Sequence, residues 1–267
     1  MFQFAFMRRA LIAIVLLTPL LSLLGTMAVN RKMAFFSDAL GHSALAGVGI
    51  GVLLGVSDVT VSMLIFGVFW ALMISRINQS GRTGADTIIS VFSSTGIALG
   101  LLILSRSGNF ARYNSLLVGD ILHIAPKDLY LMAAALIVGA VLWGGAYNRL
   151  LLTAVSVPLA RSRGVNAALS EYLFVCMVAV AVMLSIRWVG VLLINALLIV
   201  PAAAGRNLSR TARQHALWSV GIALFSGVGG LCLSYLWDTG VGAAVVLCAA
   251  ACYFLSLIPP LVERLRA

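Results

Sequence analysis

Acidic residues are scarce in this chain, eight in 267, and only two of them are glutamates, Glu171 and Glu263. Charged residues of both signs amount to 10%, where a soluble domain carries about 25%. A water-soluble globular fold is thereby excluded. Lysine occurs only at Lys32 and Lys127, and neither lies in a G-x-x-x-x-G-K-[ST] phosphate loop, so a nucleotide would have to sit on another chain. No HExxH, no GxSxG and no pair of acids within one apolar run is present, which leaves intramembrane hydrolysis without residues to perform it. Four cysteines, Cys176, Cys232, Cys248 and Cys252, all lie in apolar runs with no CxxC spacing and no disulfide framework. Cys248 and Cys252 share a helix face; they could offer two thiolates to a soft metal, or serve as small buried hydrophobes. The net charge of +10 comes without a like-charged run or an aromatic-studded basic patch, so nucleic acid is not the expected partner.

What remains is 62% hydrophobic with a mean hydropathy of +1.08, the composition of a protein immersed in lipid. Apolar runs of about 17–25 residues, each long enough to cross a bilayer, are separated by charged or turn-forming breaks. They cover 10–29, 35–56, 59–75, 87–104 and 129–147, then 171–204, and finally 216–237 and 241–258. Arg8 and Arg9 precede the first run as in a signal peptide, but that run is too long for an h-region and no A-x-A site follows, so it reads as a retained helix. The run 171–204 is too long for one crossing and is interrupted at Arg187-Trp188, where two helices are expected to meet. The section 105–128 is irregular. The count is nine spans, or eight if one short segment does not cross. With the N-terminus outside, the inner loops and tail hold twelve of eighteen basic residues, in keeping with the positive-inside rule.

The second run, FFSDALGHSALAGVGIGVLLG, carries Asp38 and His42 near its start. Four residues apart on a helix, they project from one face and can share a ligand. An aspartate within a bilayer costs about 2.5–3.5 kcal/mol on insertion scales, so it needs a partner or a water-filled path. One reading is a divalent cation passing an oxygen and a nitrogen donor; the other is a helix cap at Asp38 and an interhelical hydrogen bond at His42. Small residues, Gly47 and Gly51 among them, leave room for neighbouring helices to come close.

Several stretches together resemble the metal-ion permeases of bacterial ABC importers, the ZnuB type. They are RKMAFFSDALGHSALAGVGIG (31–51), GADTIISVFSSTGIALGLL (84–102), SLLVGDILHIAPKDLYL (115–131), WVGVLLINALLIVPAAAGRNLS (188–209) and WDTGVGAAVVLCAACYFLSL (237–257). The resemblance implies an all-α polytopic bundle of about nine (8–9) transmembrane helices with an ABC importer permease fold, one transmembrane permease domain over 1–267. It implies a homodimer in the bacterial inner membrane, an ATP-binding ABC subunit on the cytoplasmic side, and an extracytoplasmic metal-binding protein. It implies no resident cofactor; the divalent metal, zinc first and manganese or iron as alternatives, is cargo.

On the same resemblance Asp38 and His42 match the family motif as contacts of the passing metal, and Asp238 matches the zinc-type ending, though an N-cap role is the alternative there. Asp86, Asp120, His123 and His215 read as caps, turn formers or hydrated edge residues. The stretch 150–164, LLLTAVSVPLARSRG, matches the family's cytoplasmic coupling helix. Pro158 can begin a short helix and Gly164 can end it in the left-handed region, with Leu159, Ala160, Arg161 and Arg163 between them. Family members often carry acidic residues just before the alanine, where Val157-Pro158-Leu159 stand here. Asn195 could bond across helices, and Pro201 is expected to break or kink the seventh helix. A reading from a different class, an ion-coupled carrier with Asp38 as proton relay, would show inverted repeats; no convincing self-similarity between the halves is seen.

Overall fold

Between the charged and glycine-bearing breaks the apolar runs have one way to satisfy their backbone in lipid, and they take it: they are helical. The computed structural model describes residues 4–56, 58–81, 83–108, 119, 121 and 124–258. Its helices are α1 (Ala5–Asn30), α2 (Phe36–Leu53), α3 (Val59–Asn78), α4 (Ala85–Arg106), α5 (Pro126–Val155), α6 (Val157–Ser162), α7 (Ala167–Leu208), α8 (Ala212–Trp237) and α9 (Val241–Ser256). Among the described residues there is no strand. Seven helices are long and apolar enough to cross a membrane, and α9 is a shorter apolar one.

Helix α7 has 42 residues, about 63 Å at 1.5 Å per residue and twice a hydrocarbon core of about 30 Å. It is two segments. The backbone leaves the helical region at Gly190, with φ 74 and ψ 166, a combination open essentially to glycine alone. The break therefore falls at the glycine that permits it, two residues beyond the Arg187-Trp188 pair that marks it in the sequence. Counting α7 twice gives nine apolar segments among the described residues. Pro201 does not end its segment: the helix continues through it to Leu208, and Gly190 is the one interruption of helical dihedrals.

Two further boundaries differ from the sequence pattern. Helix α1 starts at Ala5, so Arg8 and Arg9 lie inside it. Helix α5 runs on from Tyr147 to Val155 because the apolar period continues and Leu150 is fully buried. Only 157–162 forms the separate short helix. Asp120 and His123 lie outside the described residues.

The chain groups into two compact units, one of Met1–Val29, Gly119–Val138 and Trp188–Ala267, the other of Asn30–Val118 and Gly139–Arg187. In the first, glycines set the approach of the helices. A Cβ on Gly25 of α1 would collide with the Leu198 carbonyl of α7, and one on Gly230 of α8 with the Val245 backbone of α9. Buried His215 of α8 shares a hydrogen bond with the Ala202 carbonyl at 2.8 Å, and Asn207 donates to Ser256 Oγ at 3.0 Å. In the second unit, α2 is sandwiched between α3 and α4. A Cβ on Gly47 would stand 3.0 Å from Met63 Cα, and one on Gly96 of α4 would stand 2.9 Å from Ser43 Cα. Trp70 of α3 meets Phe92 of α4 edge-on, with ring centroids 4.9 Å apart.

Candidate functional site

Helix α2 owes its position to being small on the sides its neighbours touch. Thirteen of its eighteen residues are buried, with Gly47 under Met63 and Phe66 and Gly51 under the Ser62 side chain. Asp38 and His42 are exceptions, 43% and 34% exposed at the side chain. His42 Nε2 stands 3.4 Å from Asp38 Oδ1, one helical turn away. The helix N-cap is Phe35, which supplies no side-chain bond. Asp38 therefore sits in the first turn and not at the N-cap position, as an acid favoured by the helix dipole.

That spacing has a chemical meaning. Two ligands about 2.05 Å from a tetrahedral metal lie about 3.3 Å apart. The 3.4 Å between Oδ1 and Nε2 is compatible with such an edge, as it is with an Asp–His ion pair. Among the described residues no third His, Cys, Asp or Glu joins them.

Asp238 belongs to the other compact unit. It is exposed and forms the C-cap of α8 in the left-handed region at φ 51. The N-cap of α9 is Gly240, so Asp238 turns the chain and caps no helix N-terminus. The hydroxyl of Ser234 closes this turn by donating to the Thr239 carbonyl. Asn195 is half-buried in the second segment of α7, and Pro201 is buried there.

Helix α6 is built as its sequence suggests. Ser156 is the N-cap, its Oγ accepting from Leu159 N at 3.4 Å, and Pro158 occupies the first turn. At the other end Val165 N donates to the Ala160 carbonyl at 2.9 Å and Gly164 N to the Arg161 carbonyl at 3.0 Å. This is the paired closure of a Schellman end, which requires the φ of 72 that Gly164 adopts. Ala160 is fully buried and anchors the helix, while Pro158, Leu159, Arg161, Arg163 and Gly164 are exposed.

Sequence reasoning treated Arg31 as one of several loop cations. In the structure it is a hub of contacts. Its guanidinium pairs with Glu171 of α7, donates to Thr153 Oγ1 at 2.7 Å and to the Leu150 carbonyl at 3.2 Å, and lies 4.9 Å from the Phe174 ring centroid. One signal was available: Glu171 is the only glutamate ahead of the C-terminal tail and stands at the start of an apolar run.

The family model described as the ABC 3 transport family matches residues 3–259. The high-affinity zinc uptake system membrane protein ZnuB of Haemophilus influenzae is 31% identical, over 93% of this chain and 95% of that protein. The manganese transport system membrane protein MntC of Listeria monocytogenes is 26% identical, over 96% of this chain and 91% of that one. Among solved structures, PsaBC from Streptococcus pneumoniae in complex with Fab superposes with a TM-score of 0.82 at 26% identity, covering 95% of this chain and 91% of that chain.

Proposed function

This chain belongs to the ABC 3 transport family, and from that premise we propose that it is the membrane subunit of an ATP-driven zinc importer. It is a metal-ion ABC permease and a multi-pass protein of the bacterial inner membrane. Zinc is the finer reading. The observation that carries it is the Asp38–His42 pair, partly exposed on an otherwise buried helix with its donor atoms 3.4 Å apart. A carboxylate and an imidazole suit a site that must bind zinc and then release it better than a set of thiolates would. The 31% identity to a zinc permease supports the same metal.

Two copies related by a twofold axis would bring two such pairs together and supply four ligands, the number zinc prefers. Asp238, exposed at its turn, is a second contact for the ion on its way. The chain has no phosphate loop, so ATP is hydrolysed by a separate subunit. That subunit docks on α6, through Pro158, Leu159 and Arg163, held in place by buried Ala160 and the Gly164 turn. An extracytoplasmic binding protein delivers the metal.

The test is uptake of radioactive zinc into liposomes that hold this chain with its ATPase and its binding protein. ATP-dependent uptake resistant to excess manganese is the expected result. Competition by manganese would keep the importer and reassign the metal, and equal uptake without ATP would overturn both.

A further inference from the structure

At the end of its unit where α6 lies, the turn after α1, the last residues of α3 and α5 and the first of α7 enclose a cavity of about 480 Å³. Its size falls within the range of small-ligand sites, about 300–1,000 Å³. Three cations line it, Arg31, Lys32 and Arg161, against the single carboxylate of Glu171. Glu171 is committed to Arg31, so Lys32 and Arg161 face the cavity with no acid left among the described lining residues. The side-chain amides of Asn78 and Gln79 add hydrogen-bond donors to the same wall.

Two details single the cavity out from an ordinary basic loop. The Arg31 side chain is only 6% exposed, and its Nε–H is buried without a partner. A buried donor of that kind calls for an acceptor the chain itself does not supply. Lys32 holds φ at 58, the left-handed conformation that often ends a helix, and this turn carries its side chain to the cavity wall.

We propose that this cavity binds the phosphate of an anionic membrane lipid. Guanidinium, ammonium and amide donors converging on one space match a phosphate's oxygens. A basic pocket at the ends of membrane helices lies at the depth of lipid headgroups. Val157, 41% exposed, lines it, and exposed Val155 and Ile77 are the chain neighbours of lining residues Ala154 and Asn78; an acyl chain would cover such apolar surface and a soluble anion would not. Binding needs neither metal nor ATP, so its failure would leave the transport reading untouched.

The full-length chain in detergent is titrated with phosphatidylglycerol, with phosphatidylcholine and with inorganic phosphate in separate arms, and binding is read by native mass spectrometry. Phosphatidylglycerol is expected to bind in preference to phosphatidylcholine. Lys32→Gln and Arg161→Gln should each weaken it about fivefold, and Lys32→Arg, which keeps the charge, should restore it. Equal binding of the two lipids, or undiminished binding by the double glutamine variant, overturns the proposal. Inorganic phosphate binding alone with the same dependence on Lys32 would assign the cavity to a soluble phosphate and overturn the lipid. Protection of the cavity by the ATPase subunit, with no effect of lipid, would make it a protein-docking surface and overturn it equally.

Discussion

Replacing Glu171 by glutamine removes a charge and almost no volume, which makes it a clean probe of the Arg31 network. The Arg31 and Glu171 side chains are 6% and 17% exposed. Burial pulls the Arg31 pKa below its ordinary value, while the charge and hydrogen bond of Glu171 pull it back up. In Glu171→Gln that support is gone and a buried cation is left uncompensated. Taking one partner from a buried pair costs about 3–5 kcal/mol. The surviving bonds to Thr153 Oγ1 and the Leu150 carbonyl place this case at the low end, about 3 kcal/mol. At about 2–4 °C per kcal/mol for a chain of roughly this length, the melting temperature should fall by about 6–12 °C. The double variant Arg31→Met with Glu171→Met removes both charges and keeps the volume, and should recover most of that loss, because the desolvation cost of the pair goes with it. Thermal unfolding of the detergent-solubilised protein reads both. A single variant melting within about 1 °C of the unaltered chain, or a double variant less stable than Glu171→Gln, would refute the reasoning.

Other residues lend themselves to the same treatment. His42→Ala should cut ATP-driven zinc uptake by at least the factor of about ten that loss of a supporting metal contact already causes, with membrane insertion and melting unchanged; normal uptake would remove His42 from the path. Gly190→Ala forces a side chain into a region costing about 1–3 kcal/mol, so the protein should melt several degrees lower, and an unshifted melt would show that the break needs no glycine. Gly164→Ala strains the left-handed end of α6 by about 1–2 kcal/mol; zinc transported per ATP hydrolysed should fall if α6 is the docking element, and an unchanged ratio would sink that assignment.

Most of the span pattern is legible in the sequence because each crossing ends at a break chemistry recognises: Asn30-Arg31-Lys32, Asp58, Gln79-Ser80-Gly81 and Thr239-Gly240. The end of α6 is legible for the same reason, since Pro158 and Gly164 are local signals with local consequences. Pro201 does not end its helix, because inside a packed bundle neighbouring groups re-satisfy the freed backbone. The Arg31–Glu171 pair spans 140 positions. No window of periodicity reaches that far, and only the rarity of glutamate hints at it. The Asp38–His42 face was readable from its spacing of four; how open it is depends on how closely α3 and α4 cover the other sides of α2, which is a matter of packing.

The openness of that face is what argues for a second copy. An acid and an imidazole 43% and 34% exposed cannot be left facing acyl chains without a cost of about 2.5–3.5 kcal/mol for the aspartate alone. Water could meet that need, and the ligands that a metal held by Asp38 and His42 alone would still lack are a second requirement. A twofold partner answers both requirements with one operation. Under the proposed homodimer it would cover the polar face of α2 with another polar face and add a second carboxylate and imidazole to the first. A transport site must hold the ion well enough to take it from a delivery protein and loosely enough to let it go. On the proposed reading, two half-sites that separate when the subunits move apart would do both, and α6, in the unit that holds α2, would be the element that transmits the motion of an attached ATPase.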